Sequence, residues 1–569
     1  MSDNKICKSC GVGFPVDQWD INFLDKISPV FSGKKFNLPY PTLCVDCRHT
    51  RRLIFRNERT IYKRKCDLFL ISIVAIYPEK TDFPVYCHEC WYGDKWNAFD
   101  YGRDYDFTRG FFDQFQELRK LVPRIGLLNE RAENSEFCNI TTGNKNCYLV
   151  WGGDFNEDSF NSIFCFKSKN VSDTYWVNSC ELSYECVDCE KCYNVKYSRY
   201  AYTSRDSAFL FDCHGCSNCF SCFGLRNKSY CIYNEQFSRE EYEQKIKSFE
   251  LDKWSSVQKL SKEFSEFCLK FPHEYVHMVN VENCTGDSIS SAKNCINCFD
   301  IFGGAEDIKD AMVAGDNAKD MFSMDHGGHD AELFYECLAS FGGRNYLFCM
   351  PAWRSSDCFY CDFVISSNNL FGCAQLQNAK YCVLNKEYSK NEWEILCAKI
   401  VEDMIARGEW GEFFPMEHSF FAYNETVAND FYTLEKGQVL AKGLKWMDEK
   451  VYDKKSDFVI PDSINDVSDD IIDKVLVCES TGRLYKITPA ELKLYRKIGV
   501  SLPRYAPETR NVMRLKSRNP KKLWDRECMC DLDHASHKGG KCDVRFLTSY
   551  SPERKEMIFC EKCYLGVTY

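Results

Sequence analysis

The chain has 569 residues and a net charge of −10, from 73 lysines and arginines against 83 aspartates and glutamates, which excludes a protein that coats nucleic acid over its whole surface. Its length predicts several domains, each able to bury a core without help from metal. The 36 cysteines fit a secreted disulfide scaffold by number alone. However, no N-terminal apolar run has the form of an export signal, and the apolar stretch Leu68–Tyr77 is about half the length of a membrane helix. A reducing, cytoplasmic setting without membrane contact is therefore expected.

Residues 1–100 open with two Cys-x-x-Cys knuckles, Cys7 with Cys10 and Cys44 with Cys47. Each knuckle can place two thiolates on one tetrahedral ion, and Gly11 supplies the tight turn, so a structural zinc site is expected. After Cys47, the residues Arg48, Arg52 and Arg56 fall at i, i+4 and i+8, on one face of a helix. Such a stripe can grip phosphates, with Phe55 and Tyr62 available to stack on bases. It can equally pair with carboxylates of another domain. A second cysteine group, Cys66 with Cys87 and Cys90, shows no evident fourth ligand apart from the adjacent His88, and is expected to be weak or empty.

Residues 101–133 carry a docking helix with Phe111, Phe115 and Leu118 at helical spacing, ending at Pro123. From 134 to 235 the chain turns to short Cys-rich and aromatic pieces separated by Asn, Ser and Gly. Lys145, Lys169 and Lys191 suggest a repeat of roughly 20 to 25 residues. This predicts a parallel β-solenoid with Cys, Phe, Tyr and Val inside and Asn at the turns. A second solenoid is expected at 283–386, because SCFGLRNKSYCIYNEQFSREEYE from Ser221 matches GCAQLQNAKYCVLNKEYSKNEWE from Gly372. Segments 236–282 and 387–421 then read as helical caps over the solenoid ends. Segment 422–473 reads as a loosely packed acidic linker.

Residues 474–569 repeat the N-terminal design. PRYAPETRNVMRLKSRNPKKLWDREC from Pro503 aligns without a gap with PTLCVDCRHTRRLIFRNERTIYKRKC from Pro41, so Arg510, Arg514 and Arg518 restate the arginine stripe. Thr481, Ala506 and Thr509 stand where Cys10, Cys44 and Cys47 would be, so this copy cannot hold metal at the first position and needs an apolar core instead. At the second position Cys530, Cys542, Cys560 and Cys563 make a complete set, with Cys528, His534 and His537 as substitutes.

These CxxCG, PTLCxxCR, RRLxFRNER and YKRKCD elements resemble those of a large uncharacterised group of bacterial proteins, common in lineages with reduced genomes. The resemblance extends through YGRDYDFTRGFFDQF, KNCYL, FGLRNKSYCIYN, FAYNETVA and CESTGR, over nearly the whole chain. It implies a zinc-ribbon domain and supplies no function. Some members carry a CDxC knuckle where this chain has Cys66 followed by Phe69.

Two further constellations have competing readings. Cys213, Cys216, Cys219 and Cys222, with Cys186, Cys189 and Cys192 nearby, resemble the cluster-binding run of bacterial ferredoxins, or else are inward residues of the solenoid. Asp325, His326, His329 and Asp330 in MDHGGHDAE can converge on a metal or a sugar hydroxyl, or else form a polar turn. No phosphate loop, dinucleotide fingerprint, nucleophile elbow or HExxH helix is present. The expected architecture is α+β multidomain, with two capped Cys-rich solenoids flanked by duplicated zinc-ribbon or treble-clef modules. The expected function is a zinc-binding scaffold contacting RNA or DNA through its arginines. The alternatives are a scaffold for protein partners on the solenoid surface, and a β-helix enzyme acting on a glycan or nucleotide-derived substrate.

Overall fold

The computed structural model describes residues 3–448, 458–534, 537, 538 and 540–568. From Ile140 to Tyr233 nearly every third residue has a positive φ, as in the run Asn146, Leu149, Gly152, Phe155 and Asp158. Each left-handed residue turns the chain, so three residues make one side and four sides make one coil. Parallel partners therefore stand twelve residues apart: Tyr148 faces Phe160, Ile163 faces Tyr175, Val187 faces Arg199 and Ser217 faces Ser229. The amides at the turns are satisfied between coils, Asn146 N–H donating to the Glu133 carbonyl at 2.8 Å and Asp158 N–H to that of Lys145 at 3.0 Å.

A side of three residues leaves room for only one small inward side chain. Cys138, Cys147, Val150, Cys165, Val171 and Ala201 are all buried there. The thiols satisfy themselves on carbonyl groups of the coil wall. Cys213 donates to Phe211 at 3.5 Å, Cys216 to His214 at 3.5 Å, Cys219 to Ser217 at 3.5 Å and Cys222 to Phe220 at 3.3 Å. The CxxCxxCxxC run is thus the four sides of one coil, which accounts for its spacing without a cluster. Two expectations are corrected here. In this first stack Phe and Tyr lie outside the small interior, whereas the second admits Phe334 and Tyr346 in the column of Cys358, and the repeat is twelve residues. Lys145 and Lys169 span two coils because their column alternates in charge, through Glu133, Lys145, Glu157, Lys169 and Glu181. Lys145 pairs with Glu133 at 3.3 Å and Lys169 with Glu157 at 2.9 Å.

The second stack runs from Met278–Glu282 to Lys380–Val383 in the same manner. Three of its coils carry an extra residue, so Ala292 faces Ala305, Glu306 faces Lys319 and Gly328 faces Phe341. The additions are absorbed at paired left-handed residues, Gly303–Gly304, Asp316–Asn317 and His329–Asp330. His329 and Asp330 of MDHGGHDAE form the third of these widened corners.

Both stacks end alike. A short antiparallel strand folds back, Glu235–Gln236 in the first and Lys386–Glu387 in the second. An asparagine amide then imitates the missing next coil. Asn234 exchanges two hydrogen bonds with the Phe223 backbone, both at 2.9 Å, and Asn385 two with Ala374, both at 2.8 Å. Capping boxes of Ser238 with Glu241 and Ser389 with Glu392 start the helices Arg239–Lys247 and Lys390–Arg407 that cover these ends. Phe111, Phe115 and Leu118 of the helix Phe111–Leu121 enter the core around the second stack.

The segment read as a loose linker is packed on both sides of residues 449–457, which lie outside the described residues. Tyr423, Val427 and Val439 join Leu53 and Ile54, and Ile464 and Ile471 join Tyr495. No helix among the described residues is long and apolar enough to cross a membrane.

The interior makes a direct prediction. Cys219 lies one coil above Ser207, so Cys219→Ser should be tolerated, whereas Cys219→Leu should cost about 1–3 kcal/mol by overpacking, read from urea melts. Converting Cys213, Cys216, Cys219 and Cys222 together to Ser should leave the bound metal unchanged by elemental analysis.

Candidate metal centres and the buried arginine stripes

The first cysteine group is built by a hairpin and a helix end. Asp3–Ile6 pairs with Gly13–Val16, and the turn between them folds Cys7 back so that its N–H meets the Val12 carbonyl at 2.9 Å. Gly11, at φ +75°, closes that turn. Cys44 is the N-cap of the helix Val45–Leu53, which brings Cys47 into its first turn. The sulfurs of Cys7, Cys10, Cys44 and Cys47 all lie within 4.8 Å of one another, with Cys10 and Cys44 at 3.6 Å. Four thiolates on a tetrahedral ion need that spacing. Burial pushes the Cys7 thiol up, but backbone amides at Cys44, Cys10 and Ser9 outweigh it and bring it down to about 6. The group is thus placed to hold a metal ion.

The same helix carries the first arginine stripe, and that stripe points inward. Arg48 is buried and pairs with Asp310 at 2.8 Å, also donating to Ser323. Arg52 is fully buried between Asp325 at 2.8 Å and Glu336 at 2.7 Å, while His49 meets the other Asp325 oxygen at 2.7 Å. Arg56 turns to Glu58 at 2.6 Å. Phe55 packs on Phe413 and Phe414, and Tyr62 bonds Glu425. In the C-terminal copy the helix Pro507–Ser517 does the same against the first stack. Arg510 and Arg514 converge on Asp173, the latter at 2.9 Å. Arg518 joins Asp188 of the first stack at 2.8 Å to Asp300 of the second at 2.6 Å.

Asp173, Asp188, Asp300 and Asp310 are all left-handed corner residues, a role that aspartate tolerates. Their carboxylates were missed by sequence reasoning. The signal that finds them is the coil register, set by the inward cysteines. The six arginines expected to contact phosphate are therefore engaged with internal carboxylates, and their guanidinium groups are withdrawn from solvent.

The second metal position also differs from expectation in its ligands. The hairpins Tyr62–Lys65 with Ser72–Ala75, and Trp524–Glu527 with Arg545–Thr548, are equivalent, each followed by a knuckle. Cys66 N–H meets the Ile71 carbonyl at 2.9 Å, and Cys528 N–H meets that of Val544 at 2.9 Å. Cys528 is thus the partner of Cys66. The C-terminal tetrad is Cys528, Cys542, Cys560 and Cys563, in which Cys528 takes the place expected of Cys530. Counting back two residues from Ile71 and from Val544 sets Phe69 against Cys542. The N-terminal group of Cys66, Cys87 and Cys90 consequently has three thiols, and Phe69, whose ring is exposed beside Lys95, stands at the chain position of the fourth. His88 does not complete it, its ring lying against Tyr92 at 4.6 Å.

No model of a known protein family matches this chain, and no curated protein matches it.

The acidic and histidine residues of MDHGGHDAE do not converge. Asp325 and His326 are buried under the N-terminal segment, where burial and then Arg56 push His326 down to about 3, keeping it neutral. His329 and Asp330 sit at the outer corner, His329 pairing with Asp316 at 2.7 Å and Asp330 accepting from Asn317 at 3.0 Å. Nucleophile, base and substrate cleft are not assembled from these four residues.

Arg52→Gln leaves Asp325 and Glu336 facing a lost cation and should cost about 3–5 kcal/mol in thermal or urea melts. In the native chain, burial pushes the Asp325 carboxyl up, but Arg52 and His49 more than reverse this and hold it below its ordinary range. Its contribution is complete above the unfolded value of about 3.9 and is lost as pH falls through the folded value. Acidification below about pH 4 should therefore destabilise the native chain more than Arg52→Gln. Separately, Phe69→Cys should complete the three-thiol group and raise the zinc content of the full chain by up to one ion per chain, measured by elemental analysis.

Proposed function

We propose that the protein is a metal-stabilised binding scaffold of the reducing cytoplasm. Its terminal copies are zinc-ribbon or treble-clef modules that lock two β-solenoids, and the solenoid surface is offered to a macromolecular partner. The observation that carries this reading is the inward arginine stripe: a module built to hold phosphate would leave Arg48, Arg52 and Arg56 in water, whereas here Arg48 and Arg52 anchor to solenoid carboxylates and Arg56 is buried on Glu58 of its own module. Zinc is the ion favoured by four thiolates in knuckle spacing. A reducing compartment suits a chain whose 36 cysteines include none in a disulfide among those described. The scattered MDHGGHDAE side chains weigh against the β-helix enzyme.

Binding titrations with single-stranded RNA and duplex DNA at several salt concentrations test this against the nucleic-acid reading. The expected result is no measurable binding that depends on these arginines, and a lowered melting temperature when all three of one copy become Gln. Binding that weakens in that variant, with its log-log salt slope reduced by up to about three, would overturn the scaffold reading.

A further inference from the structure

The C-terminal cluster holds more donors than one ion can use. Around the tetrad of Cys528, Cys542, Cys560 and Cys563 lies a second group, Cys530, His534, His537 and Cys563, also with all ligand atoms within 4.8 Å of one another. Only Cys563 belongs to both. A structural zinc ion takes four ligands, so one ion in the tetrad leaves Cys530, His534 and His537 without a metal.

Those three residues arrive together. In the N-terminal copy the knuckle runs from Cys66 to Ile71, whereas in the C-terminal copy it runs from Cys528 to Val544, and the added length carries all three. Their local geometry is that of ligands. Cys530 is fully buried, and its sulfur stands 3.5 Å from His534 Nε2. Among the described residues, the buried Nε2 of His537 has no hydrogen-bond partner. The helix Glu561–Thr568, which supplies Cys563, approaches the His534 ring so closely that a Cβ on Gly566 would lie 2.9 Å from Nδ1. A glycine there keeps the space into which the imidazole fits.

We propose that this cluster is a binuclear centre in which two zinc-class divalent ions share the Cys563 thiolate. One ion is held by Cys528, Cys542 and Cys560, the other by Cys530, His534 and His537. The inference rests on the metal-stabilised reading above and adds a second ion to its C-terminal site.

The test uses the full chain, freed of metal anaerobically and refilled with zinc or with cadmium-113. Elemental analysis of the zinc form should show His534→Ala with His537→Ala losing one ion relative to the native chain, and Gly566→Ala weakening that same ion. The cadmium form should give two C-terminal resonances with scalar coupling between them, transmitted through the shared sulfur. That coupling should disappear in the double histidine variant while the thiolate-only resonance remains. Cys563→Ser should remove both ions. If that variant does not fold, the histidine and glycine variants still decide the question. An unchanged metal content in the double histidine variant, or uncoupled resonances in the native chain, overturns the binuclear centre and leaves the metal-stabilised scaffold standing. A native chain with no metal even at Cys7, Cys10, Cys44 and Cys47 overturns both.

Discussion

The three-residue side is the constraint on which the rest of the structure depends. Placing nearly every third residue of a stack in the left-handed region costs roughly 1–2 kcal/mol for each non-glycine side chain, most of all when it is β-branched. The described stacks respond in composition: Asn, Asp, Gly and Ser crowd the corners, and β-branched residues hold a positive φ only at Ile140, Thr203 and Val313. Backbone ladders between successive coils offset the cost, since each corner amide finds a carbonyl in the preceding coil. The same short side limits what can point inward. Cysteine is the largest soft group that fits at most sides, which is why a chain with no described disulfide is so rich in it.

A core made mostly of thiols, hydroxyls and small aliphatic groups, with Phe334 and Tyr346 as exceptions in the second stack, buries little apolar area per coil, so each stack finds more by covering its outer faces. Phe160 and Tyr184 pack with Tyr495 and Ile498 of the C-terminal segment, and Phe322, Tyr335 and Tyr360 lie in the core that the helix Phe111–Leu121 enters. Apolar contact alone would let a helix slide along such a repetitive surface, because successive coils present similar faces. The buried arginines supply the register. Arg52 can be satisfied only where Asp325 and Glu336 stand together, and Arg518 only where the first stack offers Asp188 and the second Asp300. Arg518 also lies 5.1 Å from the Tyr175 ring centroid, so one side chain ties both stacks to the C-terminal copy.

Much of this was legible in the sequence, and what was not has physical causes. The knuckles of Cys7 and Cys44 announced their site because tetrahedral coordination dictates both residue type and spacing. The matched solenoid ends were legible because Asn234 and Asn385, with the Ser-x-x-Glu boxes behind them, perform a task that only those groups perform. The coil length was obscured by charge alternation, since lysines two coils apart stand out more than the lysine–glutamate column between them. The stripe partners were hidden because a corner aspartate looks the same whether it faces water or a guanidinium. The choice between Cys528 and Cys530 depended on which thiol follows the hairpin Trp524–Glu527, a point that hairpin pairing settles and cysteine spacing does not.

The two copies also separate what is replaceable in this design from what is not. At the first metal position the C-terminal copy keeps the knuckle, with Cys478 N–H on the Arg483 carbonyl at 2.8 Å, yet Ala506 stands at the helix start where the N-terminal copy has Cys44. A cluster of Leu492, Tyr495, Ile498 and Val500 now supports the helix, so apolar packing has taken over from a potential ion. At the second position the substitution runs the other way: the N-terminal copy loses a thiol to Phe69 and the C-terminal copy gains donors. A cysteine tetrad able to hold an ion and an apolar core thus occupy equivalent places beside a short helix. The arginines are not interchangeable in this way, because no apolar side chain can occupy the space beside a buried Asp173 or Asp325 without stranding its charge. Their retention in both copies is explained by the carboxylates they face inside the molecule.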